Sequence, residues 1–169
     1  MADRCTLLGA RRVVGELHMT TPTFRSMLVA LDSSPRAPGV LAAAVDLAQR
    51  LGAKLILFRA VGIPLDLPPE ALVQSPGALP GILTAHAMLD LEARAQSVPP
   101  ELFRKVSVKI GVSWEAICND AKEEDVDLIV IGSHGFSGLD RLLGTTAARV
   151  VNHADRSVIV VRDRPSPQA

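Results

Sequence analysis

The chain has 169 residues and a mass of 17.9 kDa, which fits one domain with a sizeable hydrophobic core. Lys and Arg together number 18, and so do Asp and Glu, so the formal net charge is zero. This balance argues against a nucleic-acid partner, which would require an excess of basic charge. No apolar run approaches the roughly 18 residues that cross a membrane, so we expect no membrane partner.

The residue types that bind metals or form disulfides are sparse. The two cysteines, Cys5 and Cys118, form no CxxC pair, and the four histidines show no metal-ligand spacing. We therefore expect no metal site built by the protein and a reducing, cytoplasmic location. Cys118 lies on the apolar stripe of a helical segment, which favours a core side chain over a redox thiol.

The N-terminal segment differs from the rest of the chain. Residues 1–26 show no apolar period and contain four arginines, and we predict a flexible extension that contributes little to stability. The alternative is that the chain starts at Met19. The domain is predicted to span residues 27–163, and residues 164–169 are predicted to form a disordered tail.

From residue 27 onward, short apolar runs alternate with amphipathic segments. Ser34 and Pro35 are predicted to begin the first helix, Gly52 to end it, and Ser113 to cap the third. This alternation indicates a mostly parallel sheet with helices on both faces. The predicted strands are residues 27–31, 55–58, 106–110, 127–131 and 157–162. The second helix is predicted over residues 82–96, and the fourth helix is predicted to bury one face, made of Ala147, Val150, Val151 and Ala154.

Two of these strands end in residues that suit a ligand site. Ligands of doubly wound sheets bind beyond the carboxyl ends of the strands, where the strand order reverses. The first strand ends at Asp32, and the fourth runs into a glycine-punctuated loop from Gly132. Further on, Gly144-Thr145-Thr146 opens a helix, whose free N–H groups and positive dipole end suit a phosphate. The alternative is that these glycines only turn the chain and Thr145 only caps the helix.

The sequence lacks the motifs of several classes of nucleotide-binding enzyme. No glycine is followed by lysine, so there is no P-loop, and the G-x-G-x-x-G fingerprint of dinucleotide-binding proteins is missing. Asp32 is the only acidic residue at the predicted site. Because no base–nucleophile pair stands beside it, we do not expect a dedicated hydrolase.

Four segments of the chain carry a resemblance to a known family. They are Val29-Ala30-Leu31-Asp32-Ser33-Ser34, Asp127-Leu128-Ile129-Val130-Ile131-Gly132-Ser133-His134-Gly135, Leu143-Gly144-Thr145 and Ser157-Val158-Ile159-Val160-Val161-Arg162. Through them, residues 27–162 resemble a universal stress protein domain. The resemblance implies a three-layer, doubly wound α/β fold of the adenine nucleotide alpha hydrolase-like type, with a five-stranded parallel sheet in the order 3-2-1-4-5.

The resemblance also implies a ligand. Family members with G-x-x-G, a nine-residue gap and then G-[S/T] bind ATP, and here eight residues separate Gly135 from Gly144. Any Mg²⁺ would be carried on the phosphates. The implied nucleotide-binding residues are Asp32 and the backbone near Ala60 at the adenine, Ile131 and Gly132 beside the nucleoside, and Gly135, Gly144, Thr145 and Thr146 at the phosphates. His134 and Arg141 are candidate phosphate contacts; alternatively, His134 bonds only the loop backbone and Arg141 is a solvated surface residue.

The resulting hypothesis is an ATP-binding universal stress protein that acts as a nucleotide-dependent stress-response or signalling module. One alternative is a member that binds no nucleotide and works through protein contacts. Another is a slow ATPase or autophosphorylating enzyme, with weak activity at most.

We also predict a homodimer through the strand that runs from Ser157 to Arg162. This strand is apolar on both faces, so we expect helices to cover both of its faces. The implied strand order places it at the sheet edge, where no charge or proline protects it before Arg162. Pairing with the same strand of a second subunit would satisfy its free N–H and C=O groups. The resemblance implies the same dimer, since many universal stress proteins dimerise by this strand.

Overall fold

The computed structural model of the protein describes residues 24–62, 78–133 and 144–162. Most of the predicted extension, the loop before the second helix, part of the glycine-punctuated loop and the tail lie outside these residues. Within the described residues, strands and helices alternate along the chain. They are β1 (Ser26–Ala30), α1 (Ala37–Leu51), β2 (Lys54–Val61), α2 (Ala78–Ala95), β3 (Phe103–Ile110), α3 (Ser113–Glu123), β4 (Leu128–Gly132), α4 (Thr145–His153) and β5 (Ser157–Val161).

The five strands form one parallel sheet in the order β3-β2-β1-β4-β5. This order confirms the doubly wound α/β fold. β1 lies at the centre, and Ala30 at its end is level with Phe58 in β2 and with Ile131 in β4. The chain winds from β1 towards β3 on one side and from β4 to β5 on the other, so the strand order reverses between β1 and β4.

The sheet is buried on both faces, which explains why its central strands are continuous apolar runs. Successive side chains of a strand point to opposite faces, and β1 shows this clearly. Met27 and Val29 pack into the core layer shared with α1 and α2. Leu28 packs into the second core layer, which includes buried residues of α3 and α4 such as Ile117 and Val150.

The start of the domain is tied to β4 by polar bonds. The Asp127 carboxylate accepts hydrogen bonds from the backbone N–H groups of Arg25 and Ser26, at 2.8 and 3.0 Å. Phe24 also packs against the core layer of α1 and α2. Regular structure therefore begins slightly before the predicted boundary at residue 27.

The helices show one correct prediction and two corrections at their ends, and a third correction on the apolar face of α4. Gly52 ends α1 in the left-handed conformation, with φ of 66°, as predicted. α1 begins at Ala37 rather than at Pro35, and Val112 rather than Ser113 occupies the cap position of α3. In α4, Val150 is buried but Val151 is 46% exposed, so the apolar face is narrower than predicted.

β5 is less covered than the sequence predicts. Val158 and Val160 pack against the core layer of α3 and α4, whereas Ile159 on the opposite face is 38% exposed. The prediction that helices cover both faces is wrong, because α1 packs mainly on β1, β2 and β4. Among the described helices, none is long and apolar enough to span a membrane.

Candidate functional site

A cavity of about 540 Å³ opens at the carboxyl ends of the strands, where the strand order reverses. Its size falls within the usual range for small-molecule sites. Seven of the residues that the resemblance implies line it: Asp32, Ala60, Ile131, Gly132, Gly144, Thr145 and Thr146. The other three, His134, Gly135 and Arg141, lie outside the described residues.

The parallel register explains why residues so distant in sequence meet here. Ala30 and Ile131 are paired at the ends of β1 and β4, so Asp32 and Gly132 emerge side by side. β2 adds the third wall, since the N–H of Leu31 donates to the carbonyl of Phe58 at 2.9 Å. Ala60 follows Phe58 on the same strand and lines the same cavity.

A local turn fixes the Asp32 side chain. Its Oδ1 accepts hydrogen bonds from the backbone N–H of Ser34 at 3.0 Å and from the Ser34 hydroxyl at 2.6 Å. Such a turn is a common competitor of helix formation, and it explains why α1 starts only at Ala37. The Ser34 hydroxyl also accepts the N–H of Arg36 at 3.3 Å, so it joins Asp32 to the residue before α1 but does not itself occupy the cap position. A carboxylate at this position can accept hydrogen bonds from a ligand hydroxyl or amino group.

The start of α4 forms another part of the wall. The first bond within this helix runs from the N–H of Ala148 to the carbonyl of Gly144, at 2.9 Å. The N–H groups of Thr145, Thr146 and Ala147 therefore have no acceptor inside the helix, and all three residues line the cavity. No side chain caps them, and Gly144 rather than Thr145 occupies the cap position. Unpaired N–H groups at a helix start attract anions such as phosphate.

The two flanks of residues 134–143 are joined directly. The N–H of Gly144 donates to the carbonyl of Ser133 at 2.7 Å, and the N–H of Ser133 donates to Val161 at 2.8 Å. These bonds fix the α4 start against the end of β4. Gly132 and Gly144 are therefore neighbours in the cavity wall although eleven residues separate them in sequence.

The sequence analysis missed several wall residues, of which Arg59 is the most notable. Arg59 lies in β2 directly before Ala60, and its side chain is only 11% exposed. Its guanidinium donates to the carbonyls of Leu31 and Asp32 and to the Asp90 carboxylate of α2. The only signal in the sequence is a charged residue inside an apolar strand. The other missed wall residues include Ser33, Arg36, Ser113 and Ser133.

The acidic and thiol groups restrict the chemistry of the site. Asp32 is the only carboxylate among the described residues that line the cavity, so no pair of acids is available there for general acid–base catalysis. Over the described part of the chain, no cluster of three or more His, Cys, Asp or Glu residues could hold a metal ion. Burial raises the pKa of the Cys118 thiol, which packs against the core layer of α3 and α4.

Comparison with known proteins gives a consistent result. The model of the universal stress protein family matches residues 23–162. Universal stress protein YxiE from Bacillus subtilis is 31% identical over 155 residues, which cover 82% of this chain and 99% of that protein. Universal stress protein A homolog 1 from Coxiella burnetii is 28% identical over 149 residues, with coverage of 82% and 96%.

Solved structures agree with this assignment. The universal stress protein UspA from Lactobacillus plantarum superposes with a TM-score of 0.70 at 30% identity, covering 84% of this chain and all of that one. A universal stress protein in complex with cAMP (TM-score 0.54, 23% identity, coverage 83% and 98%) shares the fold. So does one from Archaeoglobus fulgidus in complex with dAMP (TM-score 0.52, 20% identity, coverage 83% and 99%). The chain therefore belongs to the universal stress protein family.

Proposed function

We propose that this protein binds ATP in the cavity between β1 and β4 and acts as a nucleotide-dependent stress-response module in the cytoplasm. The observation that carries the proposal is the combination of a fixed Asp32 carboxylate and three α4 N–H groups without an acceptor inside their helix, all in the wall of one cavity. These groups complement the polar base or ribose and the anionic phosphates of a nucleotide. The cAMP and dAMP complexes of fold relatives support an adenine nucleotide.

In this proposal the ligand lies along the strand ends. Asp32 and the backbone near Ala60 contact the adenine, and Ile131 and Gly132 flank the nucleoside. The start of α4, from Gly144 to Thr146, contacts the phosphates, with Gly135, His134 and Arg141 as further proposed contacts. The described wall offers one carboxylate, so a Mg²⁺ ion would take its ligands mainly from phosphate oxygens and water.

Binding rather than turnover is the proposed role of the site. Hydrolysis needs a positioned base for the attacking water, and Asp32 already accepts two hydrogen bonds from Ser34. The described wall adds no second acid or histidine to share that work. A bound nucleotide would instead stabilise the arrangement of β1, β4 and α4 around the cavity, which a partner protein could recognise.

Nucleotide extraction tests this proposal. The full chain is incubated with ATP and Mg²⁺, desalted and heat-denatured, and the supernatant is separated by ion-exchange chromatography. We expect ATP, or a product of it, near one equivalent per chain. The Asp32→Asn variant keeps the size of the side chain but loses its charge, and it should retain less nucleotide. A supernatant from the wild-type protein without any adenine nucleotide would contradict the proposal.

We further propose that two chains form a homodimer through β5. Among the described strands, β5 pairs only with β4, and Ile159 is exposed beside the edge that these strands leave free. The carbonyl of Val161 points towards β4, because it accepts the N–H of Ser133. The N–H and C=O of one residue point to the same side of a strand and those of the next residue to the opposite side, so the N–H of Val160 points to the free edge.

A proline substitution tests the dimer with little damage to the sheet. Val160→Pro removes an outward donor, whereas Ile159→Pro removes an inward one and serves as the destabilising comparison. Light scattering after size exclusion at roughly 10 μM should give a dimeric mass for the wild type and a monomeric mass for a folded Val160→Pro variant. A monomeric wild-type mass would refute the dimer.

A further inference from the structure

A buried arginine connects three elements next to the proposed base end of the cavity. Arg59 of β2 donates from Nε to the carbonyl of Leu31 at 3.3 Å and from Nη2 to the carbonyl of Asp32 at 3.0 Å. Both carbonyls lie just beyond the end of β1. Because the guanidinium is planar and rigid, these bonds fix the direction in which the chain leaves the strand.

The charge of Arg59 is balanced by α2. Its Nη2 lies 2.5 Å from Oδ2 of Asp90, and the same oxygen accepts a hydrogen bond from Nε of Arg94 at 2.9 Å. Burial raises the pKa of Asp90, but hydrogen bonds from Arg94 and Arg59 outweigh it and leave that pKa below its ordinary value. The Asp90 carboxylate is therefore ionised at neutral pH. An arginine that is 11% exposed needs such a partner, because an unpaired buried charge is strongly destabilising.

The consequence is that Asp32 is held from two directions. Its carbonyl accepts from Arg59, and its carboxylate accepts from Ser34. Neither contact alone fixes both the backbone and the side chain of a residue that follows a strand. A shift of the carbonyl by a few tenths of an ångström would move the carboxylate relative to the cavity.

We propose that Arg59, supported by Asp90, is a positioning residue that sets the place of Asp32 for the base end of an adenine nucleotide. The inference rests on the proposed function, and it adds a link from the site to α2, which packs on the sheet face to which Arg59 points. Arg59 acts through Asp32 and does not itself need to contact the ligand.

Matched variants separate positioning from general stabilisation. Arg59→Lys keeps a positive charge near Asp90 but loses the planar fork that reaches both carbonyls. Asp90→Asn keeps the shape of the carboxyl group and removes its charge. Arg94→Gln is the control, because Arg94 contacts the same Asp90 oxygen but no described hydrogen bond connects it to β1. Melting temperatures identify any variant that fails to fold, in which case the other variant of the pair provides the test.

Calorimetry with ATP, ADP, AMP and adenosine gives the binding readout. For Arg59→Lys we expect the affinity for each of the four ligands to fall by the same factor of about ten, because the proposed phosphate contacts at α4 are untouched. Arg94→Gln should change each affinity less than twofold. A loss that grows with the number of phosphates, or an equal loss in Arg94→Gln, would overturn the proposal.

Amide hydrogen exchange of the ligand-free protein separates this proposal from the proposed function. The N–H of Ser34 is bonded to the Asp32 carboxylate, so its exchange rate reports whether Asp32 stays in place. We expect exchange several-fold faster in Arg59→Lys than in Arg94→Gln. If the wild type bound no adenine nucleotide but the two variants still differed in exchange rate, the proposed function would be wrong and the positioning role of Arg59 would be supported. Equal exchange rates in the two variants would overturn the positioning role.

Discussion

A branched side chain at the end of β4 should block the cavity while leaving the fold intact. Gly132 is the last residue of β4, is paired with Val161 of β5, and lines the cavity beside the start of α4. Gly132→Val places three extra carbons where the nucleoside is proposed to lie. The glycine is only half-buried, so the substitution does not overpack the core.

The expected loss follows from the contacts that a displaced ligand would give up. Three N–H groups at the start of α4 have no acceptor within the helix. A hydrogen bond to a charged group contributes about 1.5–3 kcal/mol, so the loss of one or two of them costs about 3 kcal/mol. That corresponds to a loss of affinity of about a hundredfold.

Isothermal titration of the variant with ATP measures this loss, and Gly62→Val is the matched control. Gly62 follows the end of β2, and a Cβ built there meets no described atom within 4 Å. We expect the control to bind as the wild type does and both variants to melt within a few degrees of it. If Gly132→Val bound ATP as tightly as the wild type, the ligand would not lie against β4 and the reasoning would fail.

Three further perturbations test other parts of the structure. Asp127→Ala removes the acceptor of two N–H groups at the start of the domain, which should lower the free energy of unfolding by about 2 kcal/mol and Tm by about 4–8 °C. The control Asp46→Ala, at an exposed ion pair, should change Tm little. Burial raises the pKa of Asp120, so the protonated carboxyl favours folding below about pH 4, and this stability is lost as pH rises through the raised pKa. In denaturant titrations, Asp120→Asn should therefore gain stability relative to the wild type between acid and neutral pH, and a relative loss would contradict burial as the cause. Deletion of residues 1–23, which show no apolar period, should leave Tm within a few degrees, and a large drop would show that they pack on the domain.

The elements that the sequence predicted well are those fixed by burial. The runs around Val29 and Ile129 are buried on both faces of a parallel sheet, which leaves a continuous apolar signature. Gly52 was predictable because a left-handed residue after a helix favours glycine. The strand ends then placed Asp32 and Gly132 in one cavity, since parallel strands share a carboxyl edge.

The features that the sequence did not predict depend on competition between groups. The Ser34 hydroxyl donates to the Asp32 carboxylate and accepts from the N–H of Arg36, and local sequence does not show that this turn delays the start of α1 to Ala37. Arg59 was missed because its partner Asp90 lies 31 residues away, on a helix across the sheet face. β5 was misjudged because its apolar composition does not reveal that the described helices leave Ile159 exposed on one of its faces.

The central claim is that the cavity at the end of β1 and β4 binds ATP. Calorimetric titration of the full chain with ATP in the presence of Mg²⁺ tests it most directly, with adenosine and inorganic triphosphate titrated separately. We expect saturable binding of one ATP per chain, tighter than either fragment, because Asp32 and the start of α4 line one cavity and are proposed to bind different ends of the ligand. No saturable heat up to millimolar ATP, or triphosphate binding as tight as ATP, would contradict it.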